Sequence, residues 1–135
     1  MIFARRVFLL AGAVGILFVF PMYFLETRIG QSLPPPIAHP EYFYGFIGVT
    51  LVWQILFLVI AFDPIRYRPL MLVGILEKVS YGLAAPMLFG AGRVPLATFT
   101  TGLIDLAFAV LFAVAYGKTP SQSQPRSAQG SPQPD

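Results

Sequence analysis

Four long apolar stretches dominate the chain, each bounded by charge, proline or glycine. They run from about Val7 to Leu25, Tyr42 to Phe62, Leu70 to Gly90 and Val94 to Tyr116. A helix crossing a bilayer needs roughly 20 mostly apolar residues at a rise of about 1.5 Å each. All four stretches meet that requirement. The pattern predicts an all-α protein: an integral membrane bundle of four transmembrane helices over residues 1–118, with little chain left for a soluble domain.

The punctuation gives the connectivity. Asp63-Pro64-Ile65-Arg66-Tyr67-Arg68-Pro69 reads as a short turn, with Asp63 bonding local backbone. Pro69 suits a first helical turn, where its missing N–H is harmless. Gly90 to Pro95 forms a second short turn. Short turns make the last three spans antiparallel neighbours. The longest connection, Glu26 to about Glu41, contains Pro34-Pro35-Pro36 and is expected to be an extended, stiff strap. Tyr23, Phe24, Tyr42, Phe43 and Tyr44 form an expected aromatic belt at one membrane surface, with Tyr67 and Tyr116 at the other. Residues 119–135 are Ser, Gln, Pro and Gly with almost nothing apolar, and read as a disordered tail.

Charge orients the bundle. Arg5, Arg6, Arg66, Arg68, Lys118 and Arg126 fall on one side, and only Arg28 and Arg93 on the other. By the positive-inside rule both termini are cytoplasmic and the protein is a multi-pass inner-membrane protein. The first span follows Arg5 and Arg6 as a signal peptide would. It ends, however, in Phe20-Pro21-Met22-Tyr23 with no small-residue cleavage site, so it is expected to remain as a helix. The basic residues sit at helix ends and not on one soluble face, so no nucleic-acid partner is expected; the partner is the lipid bilayer. The chain has no cysteine. Disulfides, thiol catalysis and cysteine-held metal centres are thereby excluded. No phosphate loop, zinc-protease helix or serine elbow is present, and no cofactor is expected.

The candidate chemistry lies inside the apolar stretches. Glu77 and Lys78 interrupt the third and Asp105 the fourth. An ionisable group in hydrocarbon costs roughly 2.5–3.5 kcal/mol on insertion scales, so such groups pair, face a cavity or carry out chemistry. Counted from the cytoplasmic end, Gln54 and Lys78 lie roughly 12 Å deep and Asp105 roughly 16 Å, in one slab. Gly74, Lys78 and Gly82 share a face of the third span. Pro86, one turn on, frees the carbonyl of Gly82. Thr98, Thr101, Gly102, Asp105, Ala109 and Phe112 share a face of the fourth, small and polar enough to meet protein. The arrangement expected is a Lys78–Asp105 pair across antiparallel helices. Glu77 would be paired by the same lysine, accept from Gln54 or Tyr81, or be protonated. Ala11 with Gly15, and Gly45 with Gly48, allow close helix approach within the bundle, with a homodimer as the alternative. In the outer loop, His39 and Glu41 are a weak site at best; the histidine is either a solvated loop residue or a base or gate at the outer mouth. No metal is expected there.

Several segments carry a family resemblance: His39-Pro40-Glu41-Tyr42-Phe43-Tyr44-Gly45-Phe46, Trp53-Gln54, Asp63-Pro64-x-Arg66-Tyr67-Arg68-Pro69 and Glu77-Lys78. Together they resemble small bacterial four-helix membrane proteins, distantly those of the DoxX-like group, over about Val7 to Tyr116. That resemblance implies a place in membrane redox or sulfur metabolism, often as an accessory subunit. In the sterol-isomerase-like EXPERA proteins, another four-helix group, carboxylates and a histidine act in a bundle cavity; here only Glu77 and Asp105 could play that part. Two functions follow. The leading one is a non-enzymatic accessory or structural subunit, with a membrane-protein partner, whose core is fixed by Glu77, Lys78 and Asp105. The alternative is a bundle that binds a small hydrophobic molecule (a quinone, sterol-like lipid or isoprenoid) and moves a proton with Glu77 or Asp105.

Overall fold

The computed structural model describes residues 1–33 and 36–121 and is all-helical among them. The helices are α1 (Ile2–Val19), α2 (Glu26–Ser32), α3 (Pro40–Phe62), α4 (Arg68–Gly90) and α5 (Leu96–Lys118). A 3-10 turn, Phe20–Phe24, extends α1. That extended helix, α3, α4 and α5 are each long and apolar enough to cross a membrane, which marks an integral, multi-pass membrane protein. Of the expected Pro34-Pro35-Pro36 strap, Pro34 and Pro35 lie outside the described residues, as do residues 122–135 of the tail expected to be disordered over 119–135; Thr119, the first of that tail, is instead buried and held by Arg68.

Prolines set the helix boundaries. Pro40 and Pro69 occupy the first turns of α3 and α4, and Pro95 caps α5. There the lost N–H has no intrahelical partner to forfeit. Two boundaries differ from those read in the sequence. α1 starts at Ile2 and not near Val7, so Arg5 and Arg6 lie within the helix. Arginine is a good helix former, and its long stem carries the charge toward water without ending the helix. The long connection also contains a helix, α2, where a loop was expected. Glu26 in its first turn suits the positive end of the helix dipole. Leu33, restricted by Pro34 after it, leaves helical geometry at φ −129°.

α1 packs closely on α3, and α4 on α5. The α4–α5 seam is narrow because Gly82 and Ala85 of α4 meet Gly102 and Leu106 of α5; a methyl on Gly102 would touch Ala85 at 2.7 Å. Such small-residue seams let backbones approach where lipid supplies no hydrophobic drive for association. The two pairs join chiefly at the end carrying Arg5, Arg66 and Lys118, here termed the basic end. Phe8 of α1 stacks on Phe112 of α5 at 4.1 Å, and Phe57 of α3 meets Phe112 edge-on at 5.0 Å. Ala4, Ala61, Met71 and Ala115 fill the space around these rings.

The same end is tied by Arg68. Its Nε donates to the Thr119 carbonyl at 2.7 Å while its guanidinium lies 3.8 Å over the Tyr116 ring. Asp63 starts the adjoining turn as expected, its Oδ1 accepting from Arg66 N–H at 3.1 Å. Lys118 Nζ lies 5.0 Å over the Phe3 ring, so the first and last described helices bring their termini to one end of the bundle. At the opposite end, Tyr23 stacks on Tyr44, whose hydroxyl donates to Glu26 Oε2 at 2.6 Å.

Candidate functional site

Above the aromatic plug formed by Phe8, Phe57 and Phe112, the two helix pairs enclose a cavity of about 430 Å3. Its walls are mainly apolar, including Val14 and Phe18 of α1, Met22, Phe46 of α3 and Ile104 of α5. Phe18 and Ile104 line it and are exposed. The cavity is partly open to the outside of the bundle. Its volume falls within the roughly 300–1,000 Å3 of small-molecule sites.

The polar groups gather on the same cavity. Gln54, Glu77, Lys78, Tyr81 and Asp105 all line it. Lys78 is buried, and its Nζ donates to Asp105 Oδ1 at 3.1 Å, the cross-helix pair expected from charge. The same Nζ lies 3.3 Å from Glu77 Oε2. Neighbouring residues on a helix point about 100° apart, so this second contact depends on the reach of the lysine stem. The Phe57 ring centroid, 5.3 Å away, adds a further favourable surface for the ammonium.

Two of the partners considered for Glu77 are engaged elsewhere. Gln54 Nε2 donates to the Thr50 carbonyl at 3.2 Å. Tyr81 hydroxyl is 3.0 Å from Thr101 Oγ1, and Thr101 itself donates to the Thr98 carbonyl at 2.8 Å. Thr101 has one proton to give, so Tyr81 is the donor of that pair. Glu77 Oε2 is consequently buried with no hydrogen bond, although it is within charge-pairing distance of Lys78. Its contact with Lys78 is an ion pair, so charge and not a directed hydrogen bond holds this oxygen.

The outer-loop pair stands clear of the cavity. His39 Nδ1 and Glu41 Oε1 are 3.1 Å apart and exposed, and neither lines the cavity wall. Among the described residues no three His, Cys, Asp or Glu side chains converge on a point that could hold a metal ion.

Glycine shapes the site more than the sequence indicated. A methyl on Gly15 would overlap the Gln54 carboxamide, and one on Gly12 would meet Leu58 and the Gln54 carbonyl. The Ala11–Gly15 spacing is therefore internal packing, and Gly15 is the slot that admits Gln54. Gly45, in contrast, has nothing within 4 Å of the position of a methyl group, so it does not serve close packing in the bundle. The cavity walls contributed by Val14, Phe18, Met22 and Phe46 carry no marker in the sequence that separates them from lipid-facing residues.

Compared with family models, curated proteins and solved structures, the chain matches none.

Proposed function

We propose that this is an inner-membrane protein, both termini cytoplasmic, that binds a small hydrophobic molecule between its helices beside Glu77, Lys78 and Asp105. One observation carries the reading: a direct Lys78–Asp105 bridge and an open cavity occur together. A buried ion pair by itself can serve to fix helix register. A lock of that kind has no use for an apolar cavity of small-molecule size at its side. Ligand sites in bundles lie between facing helices, with apolar walls and a few convergent polar groups.

An accessory-subunit role, as the DoxX-like resemblance would have it, is the second reading. The exposed apolar surfaces of α1 and α3, including Leu17 and Val52, would serve lipid or a partner equally. On the binding reading, Glu77 or Asp105 would exchange a proton with the bound molecule.

The test is native mass spectrometry on full-length protein carried from its own membrane in polymer-bounded discs. Binding predicts a small molecule of defined mass retained by wild type and lost when Val14→Trp fills the cavity. Bare protein contradicts the binding reading, and stoichiometric protein partners without a small molecule favour the accessory subunit.

A further inference from the structure

The charge balance of the cavity selects the kind of head group it would hold. Lys78 is the only cation among the described residues that line the cavity, and it lies between the Glu77 and Asp105 carboxylates. Two carboxylates against one ammonium leave the site one negative charge in excess when both are ionised. The Asp105 oxygen already accepts a hydrogen bond from Lys78, whereas the buried Glu77 Oε2 accepts none. Glu77 lines the cavity, so a positively charged donor held there would approach its carboxylate and balance the charge.

Building on the binding reading above, we infer that the cavity takes an amine-bearing amphiphile, its ammonium against Glu77 and its apolar body between α1 and α5. A carboxylate or phosphate head would bring a further negative charge to a site whose lysine is already shared between two carboxylates. A hydroxyl head could donate to Glu77 but would leave the charge excess in place. The apolar body fits the walls supplied by Val14, Phe18 and Ile104, and the exposure of Phe18 and Ile104 gives it an entrance from the lipid side. Tyr81 and Thr101 are already bonded to each other and need no ligand.

The experiment compares two probes of nearly the same shape, 1-adamantylamine and 1-adamantanol. Binding to full-length wild-type protein in lipid nanodiscs is measured by calorimetry, with empty nanodiscs subtracted. A charge-assisted hydrogen bond to Glu77 predicts that the amine binds roughly ten- to a hundredfold more tightly than the alcohol. Glu77→Gln, which keeps the shape and removes the charge, should abolish that preference by weakening the amine. Equal affinity of wild type for the two probes overturns the inference and leaves the cavity as a binding site for neutral molecules. Binding of neither probe contradicts the binding reading as well. The wild-type comparison stands even where Glu77→Gln fails to fold.

Discussion

Gly15 of α1 faces Gln54 of α3 so closely that the glutamine carboxamide occupies the space a side chain at position 15 would need. This contact holds Gln54 at the cavity wall, its amide turned back to the Thr50 carbonyl. It couples the α1–α3 seam to the polar layer of the site.

Gly15→Ala should therefore destabilise the bundle. Alanine gains up to about 1 kcal/mol in helix propensity over glycine. Overpacking a fitted contact costs roughly 1–3 kcal/mol, and here the obstacle is a buried glutamine whose hydrogen bond must break if it moves. Gly45→Ala meets no neighbour and should be neutral or slightly stabilising. Thermal unfolding of the two variants in the same detergent checks the contrast; equal shifts would contradict it.

Lys78→Met leaves two carboxylates buried without their cation. Removing one partner of a buried pair costs roughly 3–5 kcal/mol, mostly because the remaining charge is stranded. Adding Asp105→Asn and Glu77→Gln to Lys78→Met should return much of that loss. Unfolding titrations in mixed micelles, followed through Trp53 fluorescence, would show the recovery. No recovery in the triple variant would mean that the lysine acts through packing and not through charge.

Phe112→Ala should open the plug below the cavity, since Phe112 touches both Phe8 and Phe57. Phe→Ala in a core costs roughly 3–5 kcal/mol. In a membrane the low end is expected, because lipid solvates the exposed surface and only packing is lost. The loss should appear as a lower unfolding temperature. A variant as stable as wild type would show that the pairs are held together elsewhere.

The absence of cysteine makes topology simple to test. Single cysteines introduced as Arg93→Cys and Lys118→Cys lie at opposite ends of the bundle. With both termini cytoplasmic, a membrane-impermeant maleimide added to intact cells should label the first and spare the second. The reverse pattern would invert the orientation.

The helical class and the four spans were legible because hydrocarbon imposes length and apolarity on every crossing segment. The Lys78–Asp105 pair was legible for a related reason: buried charges are costly, few and must find each other. α2 was hidden because a seven-residue polar helix has no periodicity to read and depends on local bonds such as Ile29 N–H to the Leu25 carbonyl. The cavity was hidden for a different reason. Apolar residues such as Val14 and Phe46 look alike in sequence whether they meet lipid, protein or an empty space. Only the divergence of the two helix pairs above Phe8 and Phe112 distinguishes them.

On the binding reading, a hydrophobic molecule reaches the space beside Glu77 and Asp105. Photolabelling with adamantyl diazirine, followed by digestion and mass spectrometry of the labelled peptides, tests it most directly. Entry to the cavity predicts label on inward residues such as Gln54, Glu77 and Tyr81, removed by Val14→Trp. Label confined to outward residues such as Leu17, Val52 and Leu76, and unaffected by Val14→Trp, would contradict it.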